Sequence, residues 1–326
     1  LQVETSDESG QQETKNLTTG EQYSALTYNI GFGAYTPDFS FFMDGGESSW
    51  AKSKESVLDT VQGAGDLVAS LRPDFALIEE IDLDATRSYH TDEYALLKEC
   101  LPEDYTVFAQ NYDSAFLFYP LNQPHGSSKS GLGLFSRYPV TEALRRSFPI
   151  STSWTKFLDL DRCYSISRVP VENGTELVIF TLHMSAYGNS DEIRKAQISM
   201  LCEDMEKEYT AGNYVLCGGD FNHDLKASEE NAGECESWAY PFPRSMLPEH
   251  ISFAMDYLSE QEREALWDSA RNADMEYVPG ETYTVTLDGF LISDNIECSS
   301  YENVNTGYRY SDHDPVVIKF RLKGAR

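Results

Sequence analysis

The sequence predicts an α/β protein in which two β-sheets pack face to face and helices cover their outer surfaces. From Tyr23 onward, short apolar runs typical of strands alternate with amphipathic stretches typical of helices. Asn173-Gly174, the strongest turn signal in the chain, joins two of these runs directly and predicts an antiparallel hairpin. Because hairpins and strand–helix units occur together, a purely parallel, doubly wound sheet is disfavoured.

The elements of the first half follow from local patterns. "ALTYNIGFG" is predicted as a buried strand that ends in glycines, and "FALIEEI" as a second strand. Between them, "SKESVLDTVQGAGDLVASLRPDF" is predicted as a helix that stops before Pro73, because apolar residues form one helical stripe: Val57, Val61, Ala64, Val68 and Leu71. "YTVFAQNYDSAFLFY" and "GLGLFSRYPV" are predicted as strands joined by the loop "PLNQPHGSSKS".

The second half continues the alternation. "CYSISRVPVENGTELVIFTLHMSAYG" is the predicted hairpin. "SDEIRKAQISMLCEDMEKEY" is an amphipathic helix with Ser190 as its N-cap, and it leads into the strand of "NYVLCGGDFN". A further helix is predicted in "SFAMDYLSEQEREALWDSA", and the chain ends with two strands, in "YTVTLDGFLISDN" and "PVVIKFRL".

The first 22 residues differ from the rest of the chain. They contain almost nothing to bury, so we expect residues 1–22 to be a disordered polar tether. The segment does not begin with Met, and we expect that a secretion signal or an anchor preceded it and was removed. We find no linker or internal repeat after it, so residues 23–326 are expected to form one domain.

Composition and charge restrict the class of protein. The chain of 326 residues is 40% apolar, which is ample for a core, and its net charge is −29. Nucleic-acid affinity comes mainly from basic groups that displace phosphate counterions, so this charge argues against DNA or RNA as the substrate. The six cysteines include no C-x-x-C pair, which argues against a zinc site or a disulfide scaffold. No apolar stretch approaches the ~20 residues of a membrane span.

Polar residues lie at the ends of the apolar runs, where a hydrophobic core has no use for them. "GGDFNHD", for example, follows the apolar run "NYVLC". Any one of these residues could be a turn former, a cap or a solvated charge. Together they form a coherent chemical set: Asn29, Glu79, Glu80, His183, Asp220, Asn222, Asp288, Asp312 and His313.

This set suits the hydrolysis of a phosphate ester. Glu80, Asp220 and Asp312 supply hard oxygen ligands for Mg²⁺ or Mn²⁺. The amides can orient a carboxylate or donate to a phosphoryl oxygen, and the two histidines are acid–base groups near neutral pH. A metal ion, amide donors and a histidine base are what the attack of water on a phosphate ester needs.

The ordered motifs "TYNIG", "PDFALIEEID", "GLGLFSRYPV", "TLHMSA", "GGDFN", "LDGFLIS" and "SDHDPV" resemble the endonuclease/exonuclease/phosphatase superfamily. The resemblance covers residues 23–322, and "GDFN" followed by "SDHDP" is highly specific, although either motif alone is weak. It implies a DNase I-like four-layer sandwich, with two packed mixed β-sheets flanked by helices and the active site at one end of the sheets. It also implies a divalent-metal phosphoesterase, which we expect to be a bacterial protein that is secreted or attached to the cell surface.

The resemblance further implies a role for each residue. The metal site would be formed or ordered by Asn29, Glu80 and Asp312. The catalytic residues would be His183, Asp220, Asn222, Asp288 and His313. Asp220 and Asn222 would hold the water or a phosphoryl oxygen, His183 would contact the phosphoryl group, and Asp288 would form a hydrogen bond with His313. Glu79 stands where Gln is usual and is expected to be a supporting or inert residue, and His223 is expected to stabilise its loop.

Three basic residues outside the family motifs could face a substrate anion: Arg87, Lys129 and Arg162. Surface ion pairs in a very acidic protein are an equally good interpretation. The aromatic stretch "SFFMDGG" could form an apolar lip over the site or belong to the core, and we favour the core.

The sequence therefore predicts a monomeric, Mg²⁺- or Mn²⁺-dependent phosphoric ester hydrolase. Its substrate would be a small-molecule or lipid-linked phosphomonoester or phosphodiester. One alternative is a nuclease, which would need a basic groove whose binding depends on salt. Another is a catalytically silent binding module, but such modules usually lose a metal carboxylate or a histidine, and here all are present.

Overall fold

The computed structural model describes residues 1–5, 15–149, 162–185, 191–229 and 239–324. Its strands are β1 Val3–Thr5, β2 Gln22–Asn29, β3 Phe75–Ala85, β4 Tyr105–Leu117, β5 Gly126–Ser136, β6 Glu142–Ser147, β7 Cys163–Pro170, β8 Glu176–His183, β9 Tyr214–Asp220, β10 Ile251–Phe253, β11 Ala270–Arg271, β12 Thr284–Val285, β13 Asp288–Ser293, β14 Ile296–Asn303 and β15 Val316–Leu322. Its α-helices are α1 Lys54–Leu71, α2 Glu93–Cys100, α3 Asp191–Thr210 and α4 Glu260–Glu264.

Most strands belong to two mixed sheets. The first sheet has seven strands in the order β1-β4-β5-β3-β2-β15-β14, and the second has six in the order β10-β13-β9-β8-β7-β6. Strand β2 runs parallel to β3, and β8 runs parallel to β9, whereas the other neighbours in the two sheets are antiparallel. Strands β11 and β12 form a separate antiparallel pair.

The two sheets face each other across the main core, and helices cover their outer faces. Fully buried residues of both sheets meet there, including Leu77 and Leu134 of the first sheet and Phe180 and Phe290 of the second. Helix α1 packs on the first sheet through Val57, Val61, Ala64 and Val68, and α3 contributes Ile198, Leu201 and Met205 to the core beside the second sheet. The result is the four-layer α/β sandwich that the resemblance implied.

Two predicted elements form as expected, and the predicted N-cap Ser190 lies outside the described residues. The Ser53 side chain accepts a hydrogen bond from the Ser56 amide at 3.1 Å and so caps α1. The hairpin of β7 and β8 turns at Asn173-Gly174, where Gly174 has a φ of +85°. Leu71 departs from the predicted stripe, because it is the last residue of α1 and is 38% exposed.

Other predicted elements are wrong in detail. The long helix expected in "SFAMDYLSEQEREALWDSA" is replaced by β10, a short turn and the five-residue α4. Asp256 accepts a hydrogen bond from the Phe253 amide, and Ser259 begins α4 with a capping box to Glu262, so two local caps divide the segment. The loop before "GLGLFSRYPV" is shorter than expected because β5 begins at Gly126.

The amino-terminal segment is packed on the domain at two points, in contrast to the expected tether. Strand β1 pairs with β4, with Val3 opposite Val107, and so extends the edge of the first sheet. Leu17 is fully buried in the main core, and its amide donates a hydrogen bond to the Pro170 carbonyl at 2.9 Å. Residues 6–14 lie outside the described ranges.

Within the described ranges, none of the helices combines the length and the apolar character that crossing a bilayer requires. The five cysteines of these ranges are free thiols: Cys100, Cys163, Cys202, Cys217 and Cys298.

Candidate active site

Strand register brings the predicted residues to one edge of the sandwich. Asn29, the last residue of β2, lies opposite Glu79 of β3. His183, the last residue of β8, lies opposite Asp220, the last residue of β9. Because β13 runs antiparallel to β9, its first residue, Asp288, also lies opposite Asp220. Asp288 therefore begins a strand rather than ending one, yet it reaches the same edge.

A bulge in β3 separates the two adjacent glutamates. The pairing of β3 with β5 shifts register between Ile78 and Ile81, and Glu80 has a φ of +55°. Positive φ is uncommon outside glycine and often occurs at functional sites. Glu79 is fully buried and accepts a hydrogen bond from Thr27 Oγ1 at 3.0 Å, whereas the Glu80 side chain is 26% exposed. Only Glu80 lines the cavity described below.

Burial favours the neutral form of Glu79. Burial, together with the negative charge of Asp288, raises the pKa of Glu79 well above its ordinary value. A protonated carboxyl at this position has the same shape and charge as the Gln that the resemblance led us to expect. We therefore regard it as a supporting residue behind Glu80.

Asn29 links the two sheets at the site. Its Nδ2 donates hydrogen bonds to Glu80 Oε1 at 3.3 Å and to Asp220 Oδ2 at 3.1 Å. Its Oδ1 accepts from the Gly31 amide at 3.0 Å. Asn29 thus orients two carboxylates, and its role in ordering a metal site stays a prediction.

Asp288 and His313 form the expected pair. His313 Nδ1 lies 2.7 Å from Asp288 Oδ2, and the Ser269 hydroxyl donates to the same oxygen at 2.7 Å. Burial alone would lower the pKa of His313, but Asp288, Asp312 and Asp220 outweigh it and raise this pKa well above its ordinary value. The ring is therefore charged near pH 7, and its Nε2 is 3.8 Å from Asp220 Oδ2.

The second histidine is in the opposite state. His183 Nε2 lies 3.5 Å from Asp220 Oδ2 and 3.8 Å from Glu80 Oε1. Burial, with the positive charges of Arg162 and His313, lowers the pKa of His183 well below its ordinary value, so the ring is neutral near pH 7. Two neighbouring titratable groups with pKa values moved in opposite directions are typical of acid–base sites.

The "GGDFNHD" motif forms the end of β9 and the loop that follows it, next to this cluster. A Cβ on Gly219, where φ is +146°, would lie 2.0 Å from the Leu182 carbonyl oxygen, so β8 and β9 approach too closely for a side chain. Asn222 donates its amide N–H to Asp220 Oδ1 at 2.8 Å and its Nδ2 to the Met184 carbonyl at 2.8 Å. His223 Nδ1 lies 2.6 Å from the Phe221 carbonyl, a contact within the loop that agrees with its predicted role.

A cavity of about 520 Å³ opens over these residues. Its polar lining includes Glu80, His183, Asp220, Asn222, Asp312 and His313, and its apolar lining includes Phe32, Tyr35, Phe41, Met43 and Leu117. Phe41 is 6% exposed and belongs to the same buried apolar cluster as Val57 and Val61 of α1, so it serves both as core and as cavity wall.

Four arginines also line the cavity: Arg87, Arg162, Arg194 and Arg271. Arg87 was predicted as a substrate contact or a surface ion pair. It lies in the cavity wall, with Nε and Nη2 at 3.0 and 2.8 Å from the Asp82 carboxylate and its guanidinium 3.7 Å from the Phe32 ring centroid. Lys129 does not reach the cavity, because β5 alternates and its side chain is exposed between the buried Ser128 and Ser130.

Arg271 was missed by the sequence analysis. It is 3% exposed and donates hydrogen bonds to main-chain carbonyls, among them those of Asn272 at 2.9 Å and Thr36 at 3.1 Å. Within the part of the chain that the structure describes, it has no ion pair. No local motif marks this residue, because β11 is a two-residue strand that only the tertiary structure places beside the cavity.

The donor set fits a hard divalent cation. Ligand atoms of Asp220, Asp288 and His313 lie within 4.8 Å of one another, but the hydrogen bond between Asp288 and His313 accounts for part of this closeness. Glu80 and Asp312, the predicted ligands, both line the cavity. Burial raises the pKa of Asp312, and a bound cation would oppose this shift. Carboxylate oxygens beside an open cavity suit Mg²⁺ or Mn²⁺, which retain water ligands.

The comparisons with known proteins agree with this geometry. The model of the Endonuclease/Exonuclease/phosphatase family matches residues 26–313. Comparison with curated protein sequences gave no match. An endonuclease/exonuclease/phosphatase from Beutenbergia cavernae has a similar structure, with a TM-score of 0.65 and 16% identity over 94% of this chain and 72% of that chain.

Two further structures are similar over almost their whole length. A family protein from Bacteroides thetaiotaomicron has a TM-score of 0.60 and 15% identity over 93% of this chain and 99% of its own. D. rerio TDP2, humanised by 14 mutations, has a TM-score of 0.60 and 14% identity over 92% and 99%. These structures share the fold, and the family match covers most of the sequence. The chain therefore belongs to the endonuclease/exonuclease/phosphatase family, a family of hydrolases of the phosphoesterase and nuclease type.

Proposed function

We propose that this protein is a divalent-metal-dependent hydrolase of a small-molecule or lipid-linked phosphate ester. The family includes both phosphoesterases and nucleases, and we propose that this chain is a phosphoesterase. The observation that carries it is the arrangement around Asp220, whose carboxylate lies 3.5 Å from the neutral His183 and 3.8 Å from the charged His313. Glu80 and Asp312 line the cavity above this arrangement.

Each residue of the site has its own role in the proposed hydrolysis. A Mg²⁺ or Mn²⁺ ion held by Glu80 and Asp312 would polarise a phosphoryl oxygen and neutralise developing charge. Burial and the nearby charge of Asp288 raise the pKa of Asp220 to about 7, so its carboxylate can accept a proton from the attacking water. As the new bond from water to phosphorus forms, the ester P–O bond breaks. The leaving oxygen then takes a proton from solvent, and Asp220 returns the proton that it accepted to solvent.

His313 is suited to the charge that builds up on the phosphoryl group. Its Nδ1 is engaged by Asp288, so the Nε2–H is the donor left for a phosphoryl oxygen. His183 stays neutral and can donate or accept at the same group. Donors that are held in place before the reaction stabilise a transition state more than mobile ones do.

Charge and size support a small ester. The net charge of −29 repels a long polyanion outside the cavity. Inside it, four arginines and about 520 Å³ provide a site of the size that binds small molecules. Nuclease activity is the alternative that the same experiment measures.

The test is a panel of substrates with Mg²⁺, Mn²⁺ or Ca²⁺. The panel contains p-nitrophenyl phosphate, bis-p-nitrophenyl phosphate, sphingomyelin, inositol phosphates and plasmid DNA. We expect hydrolysis of at least one small or lipid ester that EDTA abolishes and added metal restores. Glu80→Ala should remove activity and weaken Mg²⁺ binding while circular dichroism stays unchanged, since a partly exposed carboxylate contributes little to the core.

Glu302→Ala is the matched control, because Glu302 is exposed on β14 and does not line the cavity. It should behave like the wild type in metal binding and hydrolysis. Full activity in EDTA, or in Glu80→Ala, would contradict the metal mechanism. Failure to hydrolyse any member of the panel would favour a silent binding module.

A further inference from the structure

The hairpin of β4 and β5 ends in an exposed apolar tip, which we define as residues 116–121. Four of its large side chains are exposed: Phe116 by 49%, Phe118 by 71%, Tyr119 by 64% and Leu121 by 86%. The rings of Phe116 and Phe118 are in contact, with centroids 4.7 Å apart. Single exposed apolar residues are normal on a soluble protein, but a contiguous patch marks an interaction site.

The tip borders the mouth of the cavity. Leu117, within the tip, lines the cavity itself, as does Phe41. The Tyr119 ring contacts that of Phe42 with centroids 5.7 Å apart. Tyr240, which is 52% exposed, also lines the cavity. A surface that bound this patch would therefore lie against the entrance to the site.

Polar contacts hold the tip in place at its base. The Ser49 hydroxyl donates to the Gln123 carbonyl at 2.7 Å, and Trp50 Nε1 donates to the Pro124 carbonyl at 2.8 Å. The His125 amide donates to the Tyr119 carbonyl at 3.2 Å. The loop is thus anchored to the domain while Phe118 and Leu121 remain largely exposed.

The hairpin is also unusual in its charge. Acidic residues make up 54 of the 326 positions, about one in six, yet residues 114–141 contain none in 28 positions. The same stretch carries Lys129 and Arg137. Because residues 114–141 carry no carboxylate, this apolar patch can approach phosphate headgroups with less repulsion than the acidic parts of the protein.

We propose that residues 116–121 insert into the surface of a bilayer or micelle of zwitterionic phospholipid, so that a headgroup phosphate ester enters the cavity. This inference rests on the proposed function and specifies its lipid-linked branch. Aromatic and aliphatic side chains are suited to the membrane interface. A zwitterionic surface is favoured over an anionic one because the whole protein carries −29.

The experiment measures co-sedimentation with phosphatidylcholine vesicles. The wild type should bind, and the double variant Phe118→Ser/Leu121→Ser should bind at least about tenfold more weakly, since it removes two large apolar groups from the contact. Leu71→Ser is the matched control. Leu71 is 38% exposed at the end of α1, just before the amino end of β3, and so lies away from the strand ends that carry the site. Adding phosphatidylserine should weaken wild-type binding at low salt, and added salt should restore it.

Hydrolysis of soluble bis-p-nitrophenyl phosphate by the same preparations separates the two proposals. All three proteins should hydrolyse it equally, because Phe118 and Leu121 do not line the cavity. Hydrolysis without vesicle binding, or equal binding by the double variant, would overturn the docking proposal and leave the proposed function intact. Vesicle binding that the double variant loses, without hydrolysis of any member of the substrate panel, would support docking and contradict the function. A wild-type dimer that the double variant dissociates, with no vesicle binding, would assign the patch to a second copy and overturn the proposal.

Discussion

At the residue scale, the chemistry depends on holding two buried histidines in opposite charge states. His313 has three carboxylates near it, and they outweigh the effect of burial on its pKa. His183 has positive neighbours, Arg162 and His313, that add to the effect of burial. The same desolvation therefore gives one imidazolium and one neutral imidazole in a single site.

This division makes Asp288 and His313 a functional unit, and mutants can test it. His313→Ala should lower kcat by roughly 10²- to 10⁴-fold with little change in KM, because the charge it contacts develops mainly in the transition state. Asp288→Asn should lower kcat in the same direction, since it removes the carboxylate that holds Nδ1 at 2.7 Å. The double variant should lose much less than the product of the two losses. Steady-state kinetics of all four proteins measure this, and two losses that multiply cleanly would mean that the residues act independently.

Glu79 gives a second prediction at this scale. Because burial raises its pKa, the protonated form stabilises the fold below the unfolded pKa of ~4.3, and that contribution is lost as pH rises towards the folded pKa. Glu79→Gln keeps the acceptor for Thr27 and removes the titration. Its stability relative to the wild type should therefore increase from pH 5 to pH 8.

Urea unfolding at the two pH values measures this change. Glu79→Ala is the contrasting variant, because it leaves the buried Thr27 hydroxyl without its acceptor and should cost about 1–3 kcal/mol at both values. A Glu79→Gln variant that loses stability relative to the wild type as pH rises would show that Glu79 is ionised in the fold.

How much of the site the sequence could predict depends on where each residue stands in the chain. Short motifs beside apolar runs contain Asn29, Glu80 and Asp220. The neighbouring sequence was therefore enough to predict both where these residues lie and which chemistry they provide. Arg271 could not be identified in this way. It lies in the two-residue strand β11 and belongs to no sequence motif. For Lys129 the sequence left a substrate contact and a surface ion pair open, and only the alternation along β5 shows that its side chain is exposed away from the cavity.

At the element scale, the sequence predicted the apolar strands and helix α1 well, and it failed where elements are short or polar. Strand β6, "EALRRS", lies at the edge of its sheet, so it needs only one partner and little apolar character. The sequence patterns did not predict this strand, α2 or β14. The apolar residues of "SFAMDYL" suggested a helix. Instead, Phe253 ends strand β10, Ala254 and Met255 lie in the turn that follows, and all three are buried in the main core.

The contact between α1 and α2 gives a prediction at this scale. A Cβ on Gly65 of α1 would lie 2.5 Å from Cys100 Sγ and 3.0 Å from Cys100 Cβ at the end of α2. Ala is favoured over Gly in a helix interior by about 1 kcal/mol, but overpacking costs about 1–3 kcal/mol, so Gly65→Ala should lower the free energy of unfolding. Thermal unfolding measures the change.

The double variant Gly65→Ala/Cys100→Ala serves as its control. It removes the Sγ that the added methyl group would meet, so it should recover part of the loss relative to Cys100→Ala alone. A Gly65→Ala protein that is more stable than the wild type would show that α1 and α2 move apart at no cost and that this glycine is not required for their packing.

At the scale of the whole molecule, the position of the site could be predicted from the sequence, whereas the distribution of charge could not. The mixed sheets place the carboxyl ends of two parallel strand pairs at one edge, and this placement was predictable because the motifs follow the strands in a fixed order. The charge pattern was predictable only as a total. The sequence count of −29 did not reveal that four arginines line one cavity, because they come from distant segments. Secretion or attachment to a cell surface stays a prediction.

The last prediction follows from that total charge: plasmid DNA should be a poor substrate. A nuclease that binds through basic groups loses affinity steeply as salt rises, because releasing counterions into a more concentrated salt solution gains less free energy. Here long-range repulsion should dominate, so kcat/KM for DNA should lie at least ~10²-fold below that of the best small ester at low salt, and salt should not lower it further.

The measurement is the rate of plasmid nicking at several salt concentrations. The Asp220→Asn variant is the control for a contaminating nuclease. Asp220 is 2% exposed at the centre of the site, so any nicking that Asp220→Asn retains does not come from this cavity. Nicking at a rate comparable to that of the best small ester, absent from Asp220→Asn and falling with salt, would show that the cavity arginines continue into a groove for nucleic acid. The nuclease branch of the family would then be the correct assignment for this chain.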